Sequence, residues 1–402
     1  MDICERFLSY VSYETTSDED SSTTPSTPNQ LLLAKHLANE LSDIGLANVR
    51  LDMYGYVYAE LPANTVGMAT VGLIAHMDTA QEMPAANVRA RVFLYEGGDI
   101  PLSEGDVIPA RELSYYFGHH LIVTDGKTLL GGDDKAGIAE IVTALEIMIS
   151  EGRPHGRVLV CFTPDEEIGR GADHFDLAAF PADYAYTLDG GRLGELEYEN
   201  FNAARATVRV VGAPFHPGSA KGRMKNAARI LSELSGLLPA DALPELTEGY
   251  EGFFHMISLS GDVASAEGMW LIRDHDDGKF AEKKEIMTRA VAALNERYGA
   301  GTVTVDISDT YHNMRRVIDQ APHTVARARA AMLALGIEPI EKPIRGGTDG
   351  ALLSHRGLPC PNLGTGSENP HSGHELVSVD DMMRASRLIV RILEDAVALS
   401  EQ

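Results

Sequence analysis

The stretch Val71-Gly72-Leu73-Ile74-Ala75-His76-Met77-Asp78-Thr79 is an apolar run that ends abruptly at a histidine, with an aspartate two residues on. Residues 71–75 are short and carry no helical spacing. They read as a strand buried on both faces, the pattern of a parallel sheet covered by helices. In open α/β sheets, chemistry gathers beyond the carboxyl ends of the strands, and His76 sits at that edge. Asp78 points to the same side if the chain stays extended. A carboxylate there decides which ring nitrogen is left to act or to bind metal. A lone His-x-Asp is commonplace on protein surfaces; this one matters because the arrangement recurs.

Three further stretches repeat it. Leu129-Leu130-Gly131-Gly132-Asp133-Asp134-Lys135-Ala136-Gly137 precedes a helical pattern with Ile138, Ile141, Val142, Leu145 and Ile149 on one face. Negative charge at a helix start is favoured by about 0.3–1 kcal/mol, which accounts for one aspartate as a cap and explains the second less well. Val158-Leu159-Val160-Cys161-Phe162-Thr163-Pro164-Asp165-Glu166-Glu167-Ile168-Gly169 is again an apolar strand followed by acids. Ala185-Tyr186-Thr187-Leu188-Asp189-Gly190-Gly191 is a strand ending in an aspartate and paired glycines.

The chain has 402 residues, too many for one ordinary core, so two domains are expected. Its formal net charge of −25 argues against nucleic acid or an anionic membrane as partner, since both call for a basic face. No apolar run approaches the roughly 20 residues that span a bilayer, and the N-terminal residues lack the pattern of a signal peptide. The cysteines, Cys4, Cys161 and Cys360, are odd in number and far apart, so a reduced, cytoplasmic protein is expected.

Residues 2–13 and 30–44 have helical spacing, and the Ser/Thr/Asp/Pro-rich residues 14–30 between them read as a connecting loop. Residues 49–53 and 57–61 read as a hairpin. Residues 81–118 are punctuated by Gly and Pro and poorly periodic, and His119 and His120 read as ordinary surface or packing residues. After Asn202 the pattern changes: strand 206–211, helix 223–238, strands 253–261 and 267–273, helix 278–298, strand 302–307. The order β-α-β-β-α-β is the ferredoxin-like split unit. Residues 205–313 are therefore expected to be an inserted α+β domain, parting a catalytic domain into 1–204 and 314–402. A helix over 322–336, a short strand over 359–363 and a helix over 379–399 complete the chain. The fold class expected is α/β, with a mixed, mainly parallel sheet flanked by helices.

Parallel strands present their ends at one edge, so Asp78, Asp133, Asp134, Glu166, Glu167 and Asp189 should converge. Converging carboxylates repel and are forced to protonate unless a cation joins them. Basic residues are few there: Lys135, Arg170 and the distant Arg345. Bound divalent cations resolve the repulsion, with His76 and one of the histidines of Gly364-Thr365-Gly366-Ser367-Glu368-Asn369-Pro370-His371-Ser372-Gly373-His374-Glu375 adding nitrogen ligands. Mixed imidazole and carboxylate sets suit Zn²⁺, Mn²⁺ or Co²⁺. A pair of ions about 3.5–4 Å apart needs a bridging carboxylate, for which Asp133 is a candidate. One of Glu166 and Glu167 would then ligate while the other serves as base. The chemistry this implies is hydrolysis.

His76-Met77-Asp78-Thr79, Gly131-Gly132-Asp133-Asp134-Lys135-Ala136-Gly137, Thr163-Pro164-Asp165-Glu166-Glu167-Ile168-Gly169 and Ile344-Arg345-Gly346-Gly347-Thr348-Asp349-Gly350 occur in this order. Together they resemble the aminotripeptidases of the dizinc aminoacylase and carboxypeptidase G superfamily. The resemblance covers nearly the whole chain, including Pro25-Ser26-Thr27 and Phe215-His216-Pro217-Gly218-Ser219-Ala220-Lys221-Gly222. It implies that His76 and Asp189 hold one metal, that Glu167 and His371 hold the other, and that Asp133 bridges, with a cis peptide to Asp134. It further implies that Asp78 orients His76 and that Glu166 moves the proton of the attacking water to the leaving amine. The family spacing of His, three residues, then Glu selects His371 over His374. His216, Arg273 and Arg345 resemble substrate contacts: His216 toward the tetrahedral oxyanion, the arginines toward the peptide carboxylate. The inserted domain is then expected to be a lid that closes over the site, and by analogy to contribute to a homodimer.

The sequence departs from this family at two places, Asn369-Pro370 before His371 and Thr365-Gly366-Ser367, where an aromatic-containing sequence is usual. The expected activity is removal of the N-terminal residue from a small peptide, a tripeptide, with two divalent ions, zinc first among them. The rival readings are a dipeptidase or N-acyl-amino-acid amidohydrolase of the same mechanism, and a peptide-binding protein without catalysis.

Overall fold

The computed structural model describes residues 1–396, which divide into two compact units. Among the described residues the first comprises 1–198, 316–342 and 348–396, and the second 199–315 with 343–347.

The run that opens the sequence reading is a strand, Val71–His76, buried at every position. It pairs in parallel with Val158–Thr163 on one side and Tyr184–Gly190 on the other, and the latter pairs in parallel with Asn362–Gly364. These four make the middle of an eight-stranded sheet. The hairpin Ala47–Leu51 and Val57–Leu61 extends one edge antiparallel, and Glu195–Glu197 with Ile340–Glu341 extends the other. The sheet is therefore mixed and mainly parallel, as the all-apolar runs predict. His76, the turn after Thr163, and Asp189 lie together because parallel strands in register end at one edge.

On one face the helix Gly132–Glu151 packs against Ile3–Val11 and Val379–Glu394. On the other lies a cluster of Tyr56, Tyr58, Phe175, Phe180, Leu353 and Cys360. The last helix is described to Glu394; residues 397–399 of the expected span lie outside the described residues.

The poorly periodic residues 81–118 contain short strands and single turns. Arg91–Leu94 joins His120–Val123, Leu376–Ser378 and Ser367–Glu368 in a second, four-stranded sheet. Strands of two to four residues are too short to display a period of two, which is why the pattern hides them. Residues 14–30 are more than a connector: Ser17 N–H donates to Thr79 O, Thr79 N–H to Thr15 O, and the Arg170 guanidinium to Ser21 O and Glu19 O.

The second unit shows the order expected of it: Asn202–Val211, helix Ala227–Ser235, Phe253–Gly261, Ser265–Asp274, helix Asp277–Tyr298 and Val303–Tyr311. Its four strands are antiparallel, with Phe253–Gly261 at one edge and Val303–Tyr311 at the other. One face of the sheet buries Val208, Val210, Trp270 and Ile272 with Ile230, Leu231, Met287 and Leu294 of the two helices. Residues 343–347 belong to this unit because Arg345 donates to the carbonyls of Thr247, Gly249 and Glu251 and lies over Phe201 and Phe253.

The long helix of the first unit lies directly on the sheet. A Cβ placed on Gly137 would meet Leu188 O at 1.9 Å, and Leu188 precedes Asp189. Overpacking of this kind costs typically about 1–3 kcal/mol. Gly137→Ala is expected to lower the melting temperature by several degrees in a thermal scan, whereas Gly236→Ala, whose added atom would meet only Glu233 O at an ordinary 3.5 Å, should be less harmful.

Candidate metal centre

The centre assembles at the carboxyl edge of the parallel strands. His76 is the last residue of its strand and is 2% exposed. Its Nε2 lies 2.8 Å from Asp133 Oδ1 and 3.3 Å from Asp189 Oδ1. Its Nδ1 faces the carbonyl of Asp78 at 3.1 Å and Asp78 Oδ1 at 3.4 Å. With Nδ1 turned to these oxygens, Nε2 is the nitrogen left for a ligand. The Asp78 carboxylate does a second thing: it accepts the Glu166 N–H at 3.0 Å and the Glu167 N–H at 3.1 Å. One fully buried side chain thus ties the histidine to the turn bearing the two glutamates.

The paired aspartates split their roles. Asp134 caps the helix, accepting the Gly137 N–H at 3.2 Å and the His76 N–H at 3.1 Å. Asp133 faces the other way. Its Oδ1 is on His76, and its Oδ2 lies 3.5 Å from His371 Nε2, which is itself 2.9 Å from Glu167 Oε2. The peptide between the aspartates is cis, as the resemblance implies. Asp133 therefore stands between two imidazole–carboxylate pairs, His76 with Asp189 and His371 with Glu167.

Residues outside the expected set hold this arrangement. Glu375, buried, accepts the N–H groups of Leu130, Gly131 and Asp133 at 2.7, 2.9 and 3.0 Å. Asn362 Oδ1 accepts the Asp189 N–H at 3.0 Å. Glu82 lies 3.2 Å from His371 Nδ1. The His–three residues–Glu spacing singles out Glu375, but no local signal announces that its partners lie some 240 residues away. His374 turns elsewhere, its Nε2 2.8 Å from Asp106.

The electrostatics express the crowding. Burial, then Asp133, pushes Glu167 up to about 8. Burial pushes Asp189 up to about 6 against the pull of His76. Burial, then Asp189, pushes both Glu166 and Asp134 well above the carboxylate range. Burial acts on Asp133 in the same sense, but hydrogen bonds from His371 and His76 outweigh it and hold it well below that range. Imidazole and carboxylate donors converge here: His76, Asp133 and Glu167 offer atoms within 4.8 Å of one another, as do His76, Glu166 and Asp189. A buried set of nitrogen and oxygen donors, several of whose acids would otherwise take up protons, fits a divalent cation.

Thus His76, Asp78, Asp133, Glu166, Glu167, Asp189 and His371 come together in the first unit. The other three expected residues belong to the second. His216 is exposed and accepts the Gly218 N–H at 3.2 Å. Arg345 donates to Thr247 Oγ1 and to three carbonyls. Arg273 lies over Tyr311, with its Nε and Nη1 buried and without hydrogen-bond partners, and burial pushes it down to about 10.

Residues 103–395 match peptidase family M20/M25/M40. The chain is 50% identical over 400 residues to peptidase T of Caldanaerobacter subterraneus subsp. tengcongensis, covering 98% of each. It is 50% identical over 401 residues to peptidase T of Bacillus subtilis (strain 168), covering 97% of each. In fold it resembles the crystal structure of aminopeptidase PepT from Bacillus cereus, with a TM-score of 0.78 at 23% identity over 98% of both chains.

The two C-terminal histidines can be told apart by metal content. His371→Ala should purify with less bound divalent metal than the parent chain, by elemental analysis, and His374→Ala with the same amount; the reverse pattern would move the ligand to His374.

Proposed function

The chain belongs to peptidase family M20/M25/M40, and from that premise we propose that it is a metal-dependent aminopeptidase that removes the N-terminal residue of tripeptides. The observation that carries this reading is Asp133 set between the His76–Asp189 and His371–Glu167 pairs, with Glu166 buried beside them. Full-length relatives that are half identical and called peptidase T support the tripeptide as substrate.

In this reading His76 and Asp189 hold one divalent ion, Glu167 and His371 hold a second, and Asp133 is shared. Zinc is proposed first because its preferred ligands are imidazole and carboxylate, with cobalt and manganese as alternatives. Such ions supply Lewis acidity toward the scissile carbonyl and a water that ionises near neutral pH. Glu166 is the residue proposed to move protons. Its backbone is held by Asp78, and its carboxyl, raised by burial and by Asp189, suits a group that takes a proton from the attacking water and returns it to the leaving amine. Asp78 acts by orientation, toward His76 Nδ1 and toward the two glutamate N–H groups. Asp133 acts by keeping one oxygen toward each imidazole.

His216, Arg273 and Arg345 are proposed as substrate contacts on the family resemblance. Of the arginines, Arg273 has the buried, unpartnered donors that a substrate carboxylate would satisfy, whereas Arg345 already donates within its own unit. Among the described residues no helix is long and apolar enough to cross a membrane, and the cysteines are free; we place the enzyme in the cytoplasm on the thiols.

Three measurements test this. EDTA should abolish cleavage of tri-alanine and Zn²⁺ or Co²⁺ should restore it, with di- and tetra-alanine poor substrates; metal-dependent cleavage of dipeptides or acylated amino acids instead would move the chain to a sister activity. Glu166→Gln should lower kcat by about 10²–10⁴-fold with metal content unchanged. Arg273→Ala should raise KM for free tripeptides more than for their C-terminal amides, and an equal rise for both would remove it from carboxylate recognition.

A further inference from the structure

Glu166 and Glu167 sit on a single turn that must hold one side chain as ligand and the next as base. From below, Asp78 takes both backbone N–H groups. The residue that sets the direction of the turn is Asp165. Its φ is +59°, in the left-handed region, which non-glycine residues adopt at some cost and which aspartate tolerates better than most. Something must hold it there.

What holds it comes from the segment before the second helix. The Asp165 carboxylate is fully buried. It accepts the Ser26 N–H at 3.0 and 2.8 Å, the Ser26 hydroxyl at 2.5 Å and the Gln30 side-chain amide at 2.7 Å. The Asp165 N–H in turn donates to Gln30 Oε1 at 3.2 Å. Gln30 and Ser26 are themselves buried, and the Asp18 N–H donates to Ser26 Oγ at 2.9 Å. The far end of the turn is closed by Arg170 N–H on Asp165 O, while the Arg170 guanidinium reaches back to Ser21 O and Glu19 O. Charge-assisted bonds to a buried carboxylate are the stronger kind, and here they converge on the residue immediately before the proposed base.

We infer that Ser26 and Gln30 are positioning residues for Glu166: by gripping the Asp165 carboxylate they fix the left-handed step that aims the base. The inference rests on Glu166 acting as proposed above. Displacing a reacting group by about 1 Å can cost about 10²-fold in rate, while four of the five proposed ligands, His76, Asp133, Asp189 and His371, lie off this turn, and Glu167 keeps its own hold through its N–H on Asp78.

The test uses the full chain, loaded with Zn²⁺ and assayed on tri-alanine well below its melting temperature. Ser26→Ala and Gln30→Met should each lower kcat tenfold or more, with KM and metal content within twofold of the parent. Ser26→Thr, which keeps the hydroxyl, should recover most of the loss. Unchanged kcat in both soluble variants overturns the inference. So does a loss of kcat that tracks loss of metal or a rise in KM, or a Ser26→Thr variant as impaired as Ser26→Ala. An inactive parent chain sinks the peptidase reading and this inference with it; an active parent with unimpaired variants sinks the inference alone.

Discussion

Carboxylates that share a buried pocket repel one another, and this chain brings at least six to one sheet edge. Two like charges about 4 Å apart cost about 4 kcal/mol even at an effective dielectric constant near 20. The structure meets the repulsion by sorting its acids into two sets. Asp78, Asp134, Asp165 and Glu375 are turned onto backbone N–H groups. Each spends its acceptor oxygens on backbone donors and holds a loop in doing so. Asp133, Glu167 and Asp189 are left facing the imidazoles of His76 and His371. The first set builds the frame, and the second is left with charge that a cation can meet.

That sorting explains what could be read from the residues alone. The buried strand before His76, the acids at the strand ends and the β-α-β-β-α-β order follow from period and position, and the structure shows each of them. A second aspartate after Gly132 is more than capping requires, and the surplus residue, Asp133, is the one that faces both histidines. Period and position do not say which acid turns inward. Asp165 and Glu166 are neighbours in one motif, yet one grips a serine and a glutamine more than 130 residues earlier and the other offers an oxygen beside His76 and Asp189. Only the three-dimensional path of residues 14–30, whose composition looks like that of any loop, separates them.

The second unit teaches the same lesson from the opposite side. Arg273 and Arg345 look alike as sequence, both arginines beside apolar neighbours. Packing distinguishes them: one guanidinium is satisfied by the carbonyls of a turn, and the other has buried donors with nothing to meet. The stretch 343–347 joins the second unit for the same reason, since the hydrogen bonds of Arg345 decide which body it belongs to. The small sheet containing Arg91–Leu94 was hidden by the brevity of its strands.

Glu375 and His371 also set a timetable. Translation delivers residue 133 long before residue 371, and domains tend to fold as they emerge. Until the last few dozen residues are made, the Leu130–Asp133 loop has no acceptor for its N–H groups, and Asp133 has only His76 as an imidazole neighbour. The strands and the long helix can pair in the nascent chain, but the complete donor set cannot exist on it. A chain truncated before residue 371 would therefore lack His371 and Glu375, and with them the helix Val379–Glu394 that packs against Gly132–Glu151.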